Sequence, residues 1–262
     1  MTVAGMIPAR YASSRFPGKP LADISGRPML WWVYQRCMAS KLLNEVYVVT
    51  DDTRICEACR VYHMKSVMTS KAHQTGTDRI GEAAGRIPAD IYVNIQGDEP
   101  MLEPHVIDKA IEPMLVDNKL QVTNLMTAIK NPVDVVNFTV PKVIVNKDSV
   151  GIYLTRSAAP YPKGSLDYSY YKQVCVYGFR PQALRFFCEY GKTFGKARME
   201  AVEDIEILRF IENGYKVQYI LVDSDTIAVD TPKDLEKVRK LIWDQEKVSE
   251  ISRESSGGME SE

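Results

Sequence analysis

The segment 3–21, VAGMIPARYASSRFPGKPL, joins an apolar run directly to a loop that carries three cations. The apolar run predicts a buried β-strand because it is short and has no polar alternation. The loop then brings Arg10, Arg15 and Lys19 close together in sequence, although the net charge of the chain is only −1. The cations are therefore a local feature of this loop, which indicates an anion site rather than a generally basic surface.

From this first strand to about residue 115, strand-like and helical segments alternate four times. The strands are predicted at 2–9, 45–50, 65–69 and 90–96, and the helices at 27–40, around Cys56, at 78–87 and at 103–115. Such alternation is typical of an α/β fold, in which right-handed crossovers build a parallel sheet that helices cover on both faces.

After about residue 120 the pattern changes to strands without regular helices between them, at 121–129, 141–146, 150–155 and 172–179. This pattern predicts mixed or antiparallel pairing in a small lobe or a dimer arm. Helices at 181–190 and 202–214, a strand at 215–222 and a helix at 230–243 complete the predicted order. The polar segment 246–262 predicts a disordered tail after a single domain that spans 1–245.

Composition excludes several classes of protein. The 262 residues are 45% hydrophobic, yet no run of about 18 apolar residues occurs, so we expect no membrane insertion and a cytoplasmic location. A net charge of −1 argues against binding to nucleic acid. Cys56 and Cys59 form a C-x-x-C with His63 nearby, which suggests either a redox or zinc site or two cysteines on a buried helix face. The second interpretation is favoured because no other close Cys/His pair is present.

The cationic loop follows a strand of the predicted parallel sheet, and ligands of such sheets bind at the carboxyl ends of the strands. Cations and backbone amides grouped there would hold a polyphosphate. Neither a G-x-x-x-x-G-K-[ST] loop nor a G-x-G-x-x-G fingerprint occurs in the sequence. The alternative is a solvated basic loop, but Pro17 and Pro20 stiffen this one, which a solvated loop does not require.

Two carboxylates also follow predicted strands. Asp98 lies in NIQGDEP (94–100) and Asp230 in IAVDTP (227–232). A carboxylate beside a polyphosphate is a candidate Mg²⁺ ligand. The alternatives are a turn around Asp98 and a helix cap at Asp230 or Thr231. One cationic and two acidic strand ends together favour a nucleotide–metal site.

Six motifs give the chain a resemblance to a known family. It resembles the 3-deoxy-manno-octulosonate (Kdo) cytidylyltransferases, which make CMP-Kdo for lipopolysaccharide or capsule synthesis, from about residue 3 to residue 240. The motifs are IPARYASSRFPGKPL, HQTGTDRI, NIQGDEP, YLTRSAAPYP, VYGFR and VDTPKDLEKVR.

The resemblance implies a nucleotide-diphospho-sugar transferase fold, which is Rossmann-like with a mixed sheet and a small mixed or antiparallel lobe. It also implies Mg²⁺ as cofactor, CTP and a sugar acid as substrates, and a homodimer. Residues 1–118 would form the nucleotide-binding half, and residues 119–245 the sugar-binding and dimerisation half.

The resemblance also assigns roles to individual residues. Catalysis would depend on Lys19, Arg10 and Asp98, and Mg²⁺ would bind Asp98 and Asp230. The predicted nucleotide-binding residues are Ala9, Arg10, Arg15, Lys19, Gln74, Gly76, Thr77 and Arg79. The predicted residues for the sugar acid are Gln96, Arg156, Gln173, Tyr177, Glu203 and Asp204.

The chain departs from the family pattern at the acceptor. Gln173 and Asp204 stand where similar sequences commonly have histidines, in QVCVYGFR (173–180) and EDIEIL (203–208). The side chains of Gln173 and Asp204 add hydrogen-bond acceptors, which suggests an amino-substituted substrate such as 8-amino-8-deoxy-Kdo. Alternatively, both residues lie on the rim of the pocket and substrate specificity is unchanged. Two other functions stay open. These are CMP transfer to another acid, such as a nonulosonic acid or a phosphonate, and a non-catalytic nucleotide-binding role.

Overall fold

A computed structural model describes residues 1–12, 16–165, 167–224 and 227–257 of the chain. It has an α/β fold around one central sheet. The strands are β1 (Val3–Ala9), β2 (Asp23–Ile24), β3 (Arg27–Pro28), β4 (Glu45–Thr50), β5 (Ser66–Met68), β6 (Ile91–Ile95), β7 (Val122–Ala128), β8 (Lys142–Val145), β9 (Gly151–Thr155), β10 (Tyr171–Phe179) and β11 (Val217–Leu221).

The helices follow the predicted order, except that a 3-10 turn and one short helix are added and one predicted helix is divided in two. They are α1 (Met29–Met38), α2 (Thr53–Val61), α3 (Gly76–Ala84), α4 (Pro104–Val116), α5 (Pro132–Val136), α6 (Pro181–Phe194), α7 (Arg198–Glu203), α8 (Leu208–Glu212) and α9 (Pro232–Gly257). A 3-10 turn over Lys19–Leu21 and the short α5 were not predicted.

The sheet has the strand order β5–β4–β1–β6–β10–β7–β11. β1 pairs in parallel with β4 and β6, and β4 pairs in parallel with β5. β10 is antiparallel to β6 and β7, whereas β11 is parallel to β7. The predicted parallel half and mixed second half are therefore both confirmed. Because β1, β4, β5 and β6 are parallel, their carboxyl ends meet at one edge, where a ligand can contact several strands.

Two hydrophobic cores cover the faces of this sheet. On one face, side chains of α1, α2 and α4, such as Leu30 and Ile107, pack on β1, β4 and β6. On the other, α3, α6 and α8 contribute Ile80, Phe187 and Phe210. Within the described ranges, none of the helices is both long and apolar enough to cross a membrane.

A small antiparallel lobe extends from the sheet. β8 pairs with β9 and also with the start of β10. Lys142 is fully buried at its base, and its Nζ donates to the carbonyl of Asn137 at 2.8 Å and to that of Arg156 at 2.6 Å. These bonds tie the lobe to the strand end that carries Arg156.

The predicted continuous helix over 202–214 is wrong. Asp204 has a left-handed φ of 51°, so α7 ends at Glu203 and a separate helix begins at Leu208. The break has a physical cause, because Arg156 takes up the carbonyls with which α7 ends. Its Nε donates to the Glu203 carbonyl at 2.5 Å and its Nη2 to the Asp204 carbonyl at 3.1 Å. The helix is thereby capped by a side chain from the lobe.

The last helix runs into the segment predicted as a tail. The backbone of α9 is helical as far as Gly257, and the tail predicted from residue 246 stays a prediction. The segment 244–256 has no Pro or Gly to end a helix. Residues 258–262 lie outside the described residues.

Candidate active site

A cleft of about 410 Å³ lies at the carboxyl ends of β1 and β6. It gathers predicted site residues that are far apart in sequence. Its lining consists of Pro8, Ala9, Arg10, Ala12, Lys19, Pro20, Gly76, Gln96, Gly97 and Asp98. The cleft therefore unites the cationic loop, the start of α3 and the NIQGDEP turn, as the sheet topology requires.

Lys19 is the centre of the charged contacts in this cleft. Its Nζ lies 2.6 Å from Asp98 Oδ2 and 3.6 Å from Asp230 Oδ1, and it donates to the carbonyl of Val229 at 2.9 Å. Gly18, with a φ of 72°, turns the chain into the 3-10 turn that carries Lys19. The Lys19 ammonium thus links the loop after β1, the turn after β6 and the segment before α9.

The position of Asp98 depends on a close approach between two strand ends. A Cβ added to Gly97 would lie 3.0 Å from the carbonyl oxygen of Pro8, at the end of β1. Only glycine fits this contact without a shift of the backbone. The amide of Val229 donates to the carbonyl of Asp98 at 2.9 Å, which fixes the segment before Asp230 against the same turn.

The two alternatives for Asp230 are now distinguished. Thr231 caps α9, because its Oγ1 accepts from the amide of Asp234 at 3.4 Å and donates to Asp234 Oδ2 at 2.7 Å. Asp230 instead extends its carboxylate toward Lys19. The capping role therefore belongs to the neighbour, whereas the carboxylate of Asp230 lies beside Lys19.

Arg10 links the cationic loop to the turn before α3. Its Nη2 donates to the carbonyl of His73 at 3.0 Å. Burial and then the positive charge of Arg79 lower the pKa of Arg10, while Asp51, Glu206 and Asp78 act in the opposite direction. The third predicted phosphate ligand, Arg15, lies outside the described residues, together with the two serines before it.

The predicted nucleotide turn, 73–77, leads into α3. Thr75 caps the helix by accepting from the amide of Asp78 at 3.0 Å, so the amides of Gly76 and Thr77 lie in its first turn. Gly76 lines the cleft, and Thr77 is buried beneath it. Gln74 is exposed and lines a different cavity of about 350 Å³ between α3 and α6.

Arg79 does not lie where the prediction needs it. Its side chain is fully buried, with Nη2 donating to Asp51 at 2.9 Å and Nη1 to Thr69 at 2.6 Å. A guanidinium without exposed surface cannot contact a base in the cleft. Arg79 therefore holds the loop before the nucleotide turn in place, and this position does not support the direct contact predicted for it.

The acceptor residues Arg156, Glu203 and Asp204 form a second cluster. Glu203 accepts from the amide of Arg156 at 2.8 Å, from Thr155 Oγ1 at 2.7 Å and from Tyr153 Oη at 3.1 Å. Burial raises the pKa of Glu203, but these hydrogen bonds outweigh it and hold the pKa below the ordinary value. The Arg156 guanidinium donates hydrogen bonds to backbone carbonyls. Because carbonyls are neutral, these bonds do not neutralise its positive charge.

Asp204 and the β10 residues differ in their surroundings. Asp204 is 74% exposed and its Oδ1 lies 2.5 Å from Lys196 Nζ. Gln173 donates to Asn124 Oδ1 at 2.8 Å, next to an irregularity in the pairing of β10 with β7. Tyr177 is buried and stacks on Phe179, so it packs the core rather than lining a binding surface. The predicted contact between Tyr177 and the acceptor is not supported by this position.

The family resemblance assigns no role to Glu206. Its carboxylate accepts from Thr77 Oγ1 at 2.6 Å and from the amides of Gly76 and Thr77 at 3.3 and 3.4 Å. It thus connects the end of the acceptor cluster with the nucleotide turn. The available signal was the repeated glutamate in EDIEIL (203–208), which the helical interpretation of this segment obscured.

Comparison with known proteins identifies the family of this chain. The family model described as cytidylyltransferase matches residues 4–224. A 3-deoxy-manno-octulosonate cytidylyltransferase of Geotalea uraniireducens strain Rf4 is 41% identical over 249 residues, which cover 91% of this chain and 98% of that protein. One from Geotalea daltonii is 40% identical over 256 residues, with 94% and 100% covered. The chain belongs to the 3-deoxy-manno-octulosonate cytidylyltransferase family.

A solved structure extends the agreement to three dimensions. The structure of CMP:2-keto-3-deoxy-manno-octonic acid synthetase complexed with CTP superposes with a TM-score of 0.87 at 37% identity, covering 94% of this chain and all of that one. The family resemblance and the fold inferred from sequence are therefore confirmed. As a member of the Kdo cytidylyltransferase family, the chain is a nucleotidyltransferase.

Proposed function

We propose that this enzyme transfers CMP from CTP to Kdo and releases pyrophosphate, for the synthesis of lipopolysaccharide. The observation that carries the proposal is the cleft in which Lys19 lies between Asp98 and Asp230, beside Arg10. In the reaction the anomeric oxygen of Kdo forms a bond to the α-phosphorus of CTP. The bond from that phosphorus to the pyrophosphate breaks, and the hydroxyl proton passes to solvent.

The chain contributes mainly positioning and charge to this reaction, and no protein nucleophile is needed. Arg10 and Lys19 are the cations in the cleft that would bind the phosphates. Lys19 would stabilise the negative charge that develops at the α-phosphate. Gly76 and Thr77, at the start of α3, would frame the cytosine through backbone groups.

Mg²⁺ fits the acidic side of the cleft. Asp98 and Asp230 both approach the same cation, Lys19, and hard carboxylate oxygens are the ligands that Mg²⁺ prefers. The described part of the chain holds no cluster of three or more His, Cys, Asp or Glu side chains suited to a metal. This composition agrees with a metal whose shell is completed by phosphates and water. When bound, Mg²⁺ would neutralise phosphate charge.

For the acceptor, Arg156 and Gln96 are the proposed contacts. Arg156 is held by backbone carbonyls, so its guanidinium is preorganised for the carboxylate of a sugar acid. Gln96 lines the cleft itself. An 8-amino variant of Kdo has less support, because Lys196 already neutralises Asp204 and Gln173 is engaged with Asn124.

We also propose that the enzyme works as a homodimer formed through the lobe. Large apolar side chains on α5, β9 and α7 and in the connection to β8 are exposed, which is unusual for so small a region. They are Val133, Val136, Phe138, Ile152 and Val202, with exposed fractions of 55% to 84%. A second copy of the chain that covers them would also enclose the region around Arg156. Analytical ultracentrifugation tests this: wild type should be dimeric, and Phe138→Asp with Val136→Asp should be monomeric.

The function is tested by measuring pyrophosphate release from CTP in the presence of Mg²⁺ and a panel of sugar acids. Release with Kdo and not without an acceptor supports the proposal. Release only with a nonulosonic acid or a phosphonate would assign the enzyme to that acid. Binding of CTP without release for any acid would favour the non-catalytic role.

A further inference from the structure

Glu206 lies on the turn between α7 and α8, yet its carboxylate points at the start of α3, 130 residues away in sequence. Oε2 accepts from Thr77 Oγ1 at 2.6 Å and from the Thr77 amide at 3.4 Å, and Oε1 accepts from the Gly76 amide at 3.3 Å. The amides at the start of a helix have no partner within the helix. Glu206, which is not part of α3, therefore accepts hydrogen bonds from two of these amides. Its negative charge also interacts favourably with the positive end of the helix dipole.

The hydrogen bonds continue inward from this contact. Asn94 Nδ2 donates to Thr77 Oγ1 at 3.3 Å, so the Thr77 hydroxyl accepts from β6 while it donates to Glu206. Thr77 and Asn94 are both buried. The hydroxyl has one proton and one fixed direction in which to donate it. The rotamer of Thr77, and with it the backbone of the turn, is consequently set by Glu206.

The position of Glu206 is itself fixed by the acceptor cluster. Glu203, three residues earlier, is bonded to β9 through Thr155 Oγ1 and the Arg156 amide. Arg156 in turn binds the carbonyls of Glu203 and Asp204. The turn that carries Glu206 is thus held at its start by strong charge-assisted contacts. It is a rigid support rather than a free surface loop.

On this basis we propose that Glu206 is a positioning residue for the nucleotide, which fixes the Gly76–Thr77 turn in the conformation that receives the cytosine of CTP. The inference rests on the proposed function, because the turn was assigned to cytosine there. It adds that Glu206, a residue of the predicted sugar-binding half, contributes to the affinity for the nucleotide. Glu206 would not contact CTP itself.

Glu206→Gln is the informative change, because the side chain keeps its size but must turn its NH₂ group either to the Gly76 amide or to the amide and hydroxyl of Thr77, all of which donate. We expect the Kd for CTP, measured by calorimetry, to rise about tenfold. The Kd for inorganic tripolyphosphate, which can use Arg10 and Lys19 but has no base, should stay the same. A merely structural role would lower the melting temperature without changing the ratio of these two Kd values.

Thr77 provides a second, independent test. Thr77→Val removes the hydroxyl that donates to Glu206 and should raise the Kd for CTP by a similar factor, again without changing tripolyphosphate binding. Thr77→Ser keeps a hydroxyl and should recover most of the lost affinity. If Glu206→Gln does not fold, this pair still decides the question.

Glu212 offers a matched control, because it caps α7 in the same manner. Its carboxylate accepts from the amides of Arg198 at 3.2 Å and Met199 at 2.8 Å. Glu212→Gln should lower the melting temperature and leave both Kd values unchanged. The inference is overturned if Glu206→Gln and Thr77→Val bind CTP as tightly as Glu212→Gln does. Wild type that forms CMP-Kdo in that case keeps the proposed function, whereas wild type that binds no CTP contradicts both.

Discussion

Lys19 and Asp98 form a close ion pair in the cleft, with Nζ 2.6 Å from Oδ2, and Asp230 approaches the same ammonium at 3.6 Å. In this arrangement the lysine occupies the space between the two carboxylates proposed to bind Mg²⁺. A metal and the ammonium would compete for the same oxygens. If Mg²⁺ binds these carboxylates as proposed, the ion pair has to open, and the phosphates of CTP are the anions to which Lys19 would then turn.

The first prediction concerns Lys19→Met, which removes the charge but keeps much of the stem. Turnover should fall by about 10²- to 10³-fold, because the charge that develops at the α-phosphate loses its stabilising partner. In the absence of CTP, the same variant should bind Mn²⁺, used as a spectroscopic probe, more tightly than wild type by electron paramagnetic resonance. Equal or weaker Mn²⁺ binding would contradict the competition between lysine and metal.

The second prediction separates the two neighbours before α9. Asp230→Asn should reduce turnover strongly while the melting temperature stays near that of wild type, because the carboxylate serves the cleft. Thr231→Val should do the opposite, with a loss of about 1 kcal/mol in the free energy of unfolding from the missing cap. Turnover measured by steady-state kinetics and stability measured by thermal unfolding of both variants test this separation of roles. Loss of stability without loss of turnover in Asp230→Asn would return that residue to a capping role.

The folding pattern of the first half could be predicted because its signals are local. Apolar runs and helical periodicity near each other in sequence mark the strands and helices that build the parallel sheet. The cationic loop and Asp98 then follow at strand ends, where a parallel sheet gathers them. For the cationic loop and Asp98, it is enough to know which strand each one follows in order to predict that they lie close together.

Other features depend on contacts between distant parts of the chain. The helix break at Asp204 is caused by Arg156, which lies 48 residues earlier, and the burial of Arg79 depends on Asp51. The bond between Glu206 and Gly76 spans 130 residues. A pattern of apolar and polar residues carries no information about such partners, and the family resemblance assigned Arg79 to the nucleotide and gave Glu206 no role.

The third prediction is a dependence of stability on pH. The pKa of Glu203 is held below its ordinary value of 4.5, because the bonds from Arg156, Thr155 and Tyr153 outweigh burial. A lowered carboxyl pKa stabilises the fold above the ordinary value, and this contribution is lost as the pH falls through the folded pKa. Glu203→Gln should therefore cost about 1–3 kcal/mol near neutral pH. The difference from wild type should shrink in strongly acidic buffer.

Thermal unfolding of the two proteins across this pH range provides the measurement. The difference between them is the relevant quantity, since other carboxylates titrate equally in both. Asp52, whose pKa is also lowered, mainly by its hydrogen bond with Arg54, caps the start of α2 far from Glu203 in sequence and offers a control position. A difference for Glu203→Gln that grows as the pH falls would contradict the assignment of its contacts.

The fourth prediction concerns the acceptor. Lys196 neutralises Asp204, which is 74% exposed, so Asp204→Asn should leave the ratio of kcat/KM values for 8-amino-8-deoxy-Kdo and Kdo nearly unchanged. Arg156→Lys, in contrast, should raise KM for both acids, because a lysine cannot reproduce the planar pairing with a carboxylate. A tenfold shift of this ratio toward Kdo in Asp204→Asn would instead indicate that the amino-substituted acid is the natural substrate.

The fifth prediction concerns the nucleotide. Gly76 packs on Pro8, with an added Cβ at 3.2 Å from its ring, so the turn closes tightly over the end of β1. We expect a pyrimidine to fit and purines to be excluded, with GTP and ATP used far less well than CTP. UTP differs in only one hydrogen-bonding edge and should be disfavoured by about 1–3 kcal/mol. Competition kinetics with mixed nucleotides measure these ratios, and equal turnover of GTP would refute the assignment of the turn.

If the cleft joins the α-phosphate of CTP to Kdo, a new phosphodiester bond must form. ³¹P nuclear magnetic resonance of wild type with CTP, Mg²⁺ and Kdo observes that bond directly. We expect a new phosphodiester signal from CMP-Kdo and an equal amount of pyrophosphate, with both absent in Lys19→Met over the same time. An unchanged CTP spectrum with wild type, under conditions in which calorimetry detects CTP binding, would contradict it.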